Sequence, residues 1–100
     1  MNITRYMLSR STIEEFAEAN GLTMEVHERS AKISPTRYYA HFQYCGVLDG
    51  KFIIGEYGDG SSEADAIRNY AAVISGKTLV VNARTDAQRE IVAPILVDEL

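Results

Sequence analysis

Between Ser11 and Gly76 the spacing of apolar residues changes from period 3.6 to period 2 and back again, which restricts the fold more than any other feature. Ser11-Thr12-Ile13-Glu14 reads as a capping box, with Ser11 at the N-cap and Glu14 three residues on. Ile13, Phe16 and Ala17 share one helical face, and Asn20-Gly21 supplies a left-handed stop, so a helix is expected from about Thr12 to Asn20. Leu22, Met24 and Val26 then alternate with Thr23, Glu25 and His27, the pattern of a half-buried strand. Ser30 to Thr36, containing Pro35, reads as a loop. Alternation resumes from Arg37 to Val47, with Tyr38, Ala40, Phe42 and Tyr44 on the face expected to meet the helices. Tyr39, His41, Gln43 and Cys45 take the opposite face. Asp49-Gly50 signals a hairpin, and Phe52 to Tyr57 is expected to return as the third strand.

Gly58-Asp59-Gly60-Ser61-Ser62 then reads as a loop in which either serine can cap a second helix. That helix carries Ala64, Ile67, Ala71 and Ile74 on one stripe, widened by Tyr70, and stops at Gly76. Lys77 to Ala83 reads as a fourth strand, and Arg89 to Ala93 as a fifth that returns across a turn at Arg84 to Gln88. A short helix opening at Thr85 competes with that hairpin, because Thr85 and Gln88 have capping spacing. The expectation is a single α+β domain over residues 1–100. It has an αβββα core at about 11–76, in which two helices pack a three-stranded antiparallel sheet, and a β-rich C-terminal extension at about 77–100.

Composition narrows function mostly by exclusion. Ten Lys and Arg against fourteen Asp and Glu give a net charge of −4, which disfavours a generic polyanion binder. Cys45 is the only cysteine, so no intramolecular disulfide is expected and a reducing, cytoplasmic setting fits best. Met1 to Arg10 holds no apolar block of signal-peptide length, and no window approaches the roughly 18 apolar residues of a membrane span. Asn2-Ile3-Thr4 has the form of a glycosylation sequon, relevant only to a secreted chain.

Helix, three antiparallel strands, helix is also the order of the double-stranded RNA-binding domain, which Ser11 to Gly76 resembles. Ser34-Pro35-Thr36-Arg37 occupies the place of that family's Gly-Pro-x-His loop, and Gly58-Asp59-Gly60-Ser61-Ser62 is similar to its glycine-rich approach to the second helix. The family's lysine cluster is replaced here by Glu63, Ala64 and Ile67, with only Ala66 matching. The resemblance therefore implies the fold with a degenerate RNA-binding motif, since the cations that would release counterions from phosphates are missing. The second half, through Gly58-Asp59-Gly60-Ser61-Ser62-Glu63, Ala66-Ile67, Tyr70-Ala71 and Ile74-Ser75-Gly76-Lys77, also resembles small uncharacterised proteins of phages and prophages. That likeness implies a small accessory protein without a known activity.

Other motifs are weak. Gly76-Lys77-Thr78 ends like a phosphate-binding loop, but the required earlier glycine is Ala71. Asp59, Ser61 and Glu63 have part of a calcium-loop spacing, yet Ala64 and Tyr70 stand where Gly and Glu belong. His27 and His41, with Glu25 and Cys45, would make a zinc site only if strand register brought them together, and a solvated sheet face is the plainer reading. No nucleophile stands beside a base in a recognisable motif, so no enzyme, metal or cofactor is expected. The expected role is a protein-binding or self-associating module. The alternative is nucleic-acid binding through the basic stretch Arg29, Lys32 and Arg37. Tyr39, His41 and Tyr57 are the exposed side chains expected to join either contact.

Overall fold

The computed structural model describes residues 1–2, 10–30 and 36–99. Described in chain order, the elements are β1 (Arg10–Ser11), α1 (Ile13–Asn20), β2 (Met24–Glu28), β3 (Tyr38–Phe42), β4 (Cys45–Asp49) and β5 (Phe52–Ile54). β6 (Gly58–Gly60), α2 (Glu63–Ile74), β7 (Thr78–Val81), β8 (Arg89–Val92) and β9 (Ile95–Leu96) follow. The α+β class is as expected. The strand layout is not.

The helix boundaries follow side-chain chemistry. α1 starts one residue later than its capping box suggests: Thr12, not Ser11, is the N-cap, and its hydroxyl accepts from the Glu15 N–H at 3.2 Å. Ser11 is drawn away because it pairs with Leu96 in the parallel β1–β9 ladder, where Val97 N–H donates to its carbonyl. Gly21 closes α1 at φ +64°, the left-handed geometry that favours glycine. Thr12→Ala should therefore cost about 0.5–2 kcal/mol in a urea melt while Ser11→Ala leaves the cap intact. A loss confined to Ser11→Ala would return the cap to Ser11.

The run from Arg37 to Val47 is two strands, not one. Tyr44 adopts φ +54°, and the kink at Gln43 and Tyr44 sends β3 into one sheet and β4 into another. The kink also shifts the alternation, so Phe42 and Val47, of opposite parity, both face the core. Tyr44 itself, expected under the helices, is 72% exposed. The antiparallel three-stranded sheet has the order β2-β3-β6, so its third strand is Gly58–Gly60 and not Phe52 to Tyr57. β4 and β5 form a hairpin whose other flank is taken by β7 and β8, giving the antiparallel order β5-β4-β7-β8. The turn from Thr85 is a hairpin connection, with Thr85 Oγ1 accepting from Ala87 N–H and Gln88 Oε1 from Arg84 N–H.

A diglycine strand has poor intrinsic β-propensity, so β6 needs another cause. A Cβ at Gly58 would lie 2.1 Å from the Tyr70 nitrogen, and one at Gly60 would lie 2.4 Å from the Ala66 nitrogen. α2 thus rests directly on bare backbone. Ala66, Tyr70, Ala71 and Ile74 form its buried stripe, centred away from Ala64, which is exposed. Ser62 caps α2 by accepting from Asp65 N–H, and beyond Ser75 the chain turns through Gly76 at φ +74°. Phe42 joins the layers, tilted on Phe16 at 6.1 Å and edge-on to Tyr70 at 5.4 Å. Leu79, Ala93 and Leu96 belong to the same core, so the segment after Gly76 is built into it.

Candidate functional surfaces

The face of the β2-β3-β6 sheet turned away from α2 is lined by charged and aromatic side chains. Register sets Glu25 opposite His41, His27 opposite Tyr39, and Tyr39 opposite Asp59. Because alternate residues share a face, Glu25, His27, Tyr39 and His41 all project to the same side. His27 stacks on Tyr39 at 4.7 Å and on His41 at 5.3 Å between ring centroids. Tyr57, half-exposed, meets Tyr39 edge-on at 5.9 Å. The Arg29 guanidinium lies 4.7 Å from the Tyr39 ring centre and 5.9 Å from that of Tyr57.

Glu25 is the hub of this face. Its Oε1 accepts from Gln43 Nε2 at 3.1 Å, while Oε2 lies 3.3 Å from His27 Nε2 and 3.6 Å from His41 Nε2. His41 Nδ1 is 3.0 Å from the Phe42 carbonyl.

Four of the six contact residues expected from the sequence, Arg29, Tyr39, His41 and Tyr57, therefore come together here. Arg37 lies apart, bonded to Glu28 through Nε at 3.1 Å and Nη2 at 2.9 Å, with its guanidinium over Tyr38. The hydrogen bond to Glu28 is the main cause that raises the Arg37 pKa above its usual value. Lys32 lies outside the described residues, as does Pro35 of the expected loop. Arg29 is likewise occupied: Nη1 stands 2.6 Å from Asp59 Oδ1 as an ion pair without hydrogen-bond alignment, and it donates to the Thr36 carbonyl. Both guanidiniums of the basic stretch thus already face carboxylates within the domain. Asp59, whose spacing to Ser61 and Glu63 is part of a calcium-loop pattern, faces Arg29 instead. At the start of α2, Glu63 and Asp65 occupy the first turn, and Arg68 pairs with Asp65 and Asp98.

A second surface was not read from the sequence. β5 is an edge strand, and its residues Phe52, Ile53 and Ile54 are 73%, 38% and 37% exposed. The signal was present: three consecutive apolar residues break the alternation that a strand with one buried face requires. Gly50 at φ +60° followed by Lys51 at negative φ fits a type II′ turn, which makes Asp49 and Phe52 the closing hydrogen-bonded pair. Alternation then points the N–H and C=O of Ile53 away from β4, on the side where no described strand pairs with β5.

Cys45 is not arranged as a nucleophile. Burial raises its thiol pKa, and it lies beside Tyr70, whose phenol is pushed well above its usual range by burial. Among the described residues, no helix is long and apolar enough to cross a membrane. No protein-family model, curated protein or solved structure matches this chain.

Proposed function

We propose that the protein is a non-enzymatic module that self-associates, two copies pairing antiparallel through their β5 edges. One observation carries this reading: Phe52, Ile53 and Ile54 are all exposed on a strand whose outward backbone groups have no partner strand among the described residues. β5 is short and Lys51 precedes it, but no proline, bulge or inward charge interrupts Phe52-Ile53-Ile54. A second copy is the occupant that suits this edge because antiparallel pairing of a strand with itself is two-fold symmetric. Register parity favours Ile53 opposite Ile53, where each donates to the other. Phe52 then faces Ile54 of the other copy in both directions, so apolar meets apolar along the pair.

Nucleic-acid binding has less support, since Arg29 and Arg37 are held by Asp59 and Glu28. A small accessory role, including one in phages, is compatible with the self-associating reading but adds no residue to it. Ile53→Pro tests the proposal selectively. The Ile53 N–H points outward, so proline removes a donor the hairpin does not use. Sedimentation equilibrium should show a concentration-dependent dimer for the parent chain and a monomer for Ile53→Pro, with a parent-like circular dichroism spectrum showing that the variant is folded. A parent chain that stays monomeric at high micromolar concentration would overturn the reading, and so would a dimer that survives Ile53→Pro.

A further inference from the structure

We propose that Glu25, His27 and His41 bind one divalent transition-metal ion of the zinc type on the open face of the β2-β3-β6 sheet. Their donor atoms lie within 4.8 Å of one another. Donor–metal distances of about 2.0–2.1 Å place tetrahedral donors roughly 3.4 Å apart. The 3.3 Å and 3.6 Å separations of Glu25 Oε2 from the two imidazole nitrogens fall on either side of that value. The remaining closure, between the imidazoles, falls to the more exposed His27, whose ring must turn out of its near-parallel stack on His41 so that both in-plane lone pairs meet one ion.

The hydrogen bonding around these donors argues for a cation more strongly than the spacing does. A carbonyl only accepts, so the contact with Phe42 O places the proton of a neutral His41 on Nδ1. Nε2 then presents a lone pair to Glu25 Oε2, and two acceptors face each other across 3.6 Å. A metal ion between them satisfies both. The outer partners are those of a built metal site: a backbone carbonyl fixes the His41 tautomer, and Gln43 Nε2 holds the other carboxylate oxygen at 3.1 Å. Two imidazoles and one carboxylate suit zinc, cobalt or nickel better than calcium or magnesium, which prefer all-oxygen shells. Three protein donors on a half-exposed face leave a fourth position for water or a donor from another molecule.

The test uses untagged protein stripped with EDTA and titrated with ZnCl2 by calorimetry, and with CoCl2 by visible absorption. The expected result is one equivalent of either metal per chain. His41→Ala, His27→Gln and Glu25→Gln should each weaken binding by tenfold or more while keeping the parent's thermal melt. Gln43→Leu, a positioning change, should weaken it by about 10–100-fold. Having two histidine variants keeps the test decisive if one of them fails to fold. Absence of saturable binding would overturn the proposal. Binding that persists undiminished in the folded variants would overturn it equally.

Discussion

Gly58→Ala should remove a large share of the protein's stability, the largest effect expected of any single added methyl group in this chain. Its new Cβ would lie 2.1 Å from the Tyr70 nitrogen, 2.4 Å from the Ala66 oxygen and 2.6 Å from the Tyr70 Cα. All three are backbone atoms of α2, so no side-chain rotation relieves the overlap, and the whole helix must lift from the sheet. Lifting α2 uncovers Ala66, Tyr70 and Ile74, each no more than 1% exposed. The cost should reach roughly 4 kcal/mol or more, against a total stability of about 5–15 kcal/mol for a small domain. Gly55→Ala is the matched control, since a Cβ there meets nothing within 4 Å and the backbone is not left-handed. Urea melts in which the two variants behave alike would refute the direct seating of α2 on β6.

Phe42→Ala should be nearly as damaging, costing about 3–5 kcal/mol. Phe42 is fully buried and touches Phe16 of α1 and Tyr70 of α2, so its ring couples both helices to β3. Removing it leaves a cavity between three elements, which cannot all move inward at once. Phe42→Leu keeps most of the volume and should cost distinctly less. A loss under about 1 kcal/mol for the alanine variant would show that the site collapses around the deletion.

The helices and most of the strands were legible because their determinants are local. Gly21 as a left-handed stop, Ser62 as a cap and the 89–92 strand each depend on residues a few positions apart. The capping box points one residue ahead of the cap at Thr12 because Ser11 pairs with Leu96 of β9, some 85 residues away along the chain. The kink at Tyr44 was hidden because a tyrosine in left-handed backbone has no sequence signature. β6 was hidden because Gly58-Asp59-Gly60 is chosen for the helix above it and not for strand propensity.

The candidate surfaces divide in the same way. Alternation places Tyr39 and His41 on the open face and gives Tyr57 an exposed parity. Whether Glu25, His27 and His41 converge depended on the β2–β3 register, which links Glu25 to His41 and which local patterns do not encode. Arg29 and Arg37 were legible as cations, but their partners Asp59 and Glu28 were not, and those partners change what the cations can bind.

Self-association through β5 is the central functional claim, and amide hydrogen exchange resolved to single residues tests it most directly. In a monomer the Ile53 N–H points outward and exchanges quickly, while those of Phe52 and Ile54 are held by β4. The account predicts that raising protein concentration slows exchange at Ile53 selectively, with little change at Phe52 and Ile54. Exchange at Ile53 that stays fast and independent of concentration would contradict it.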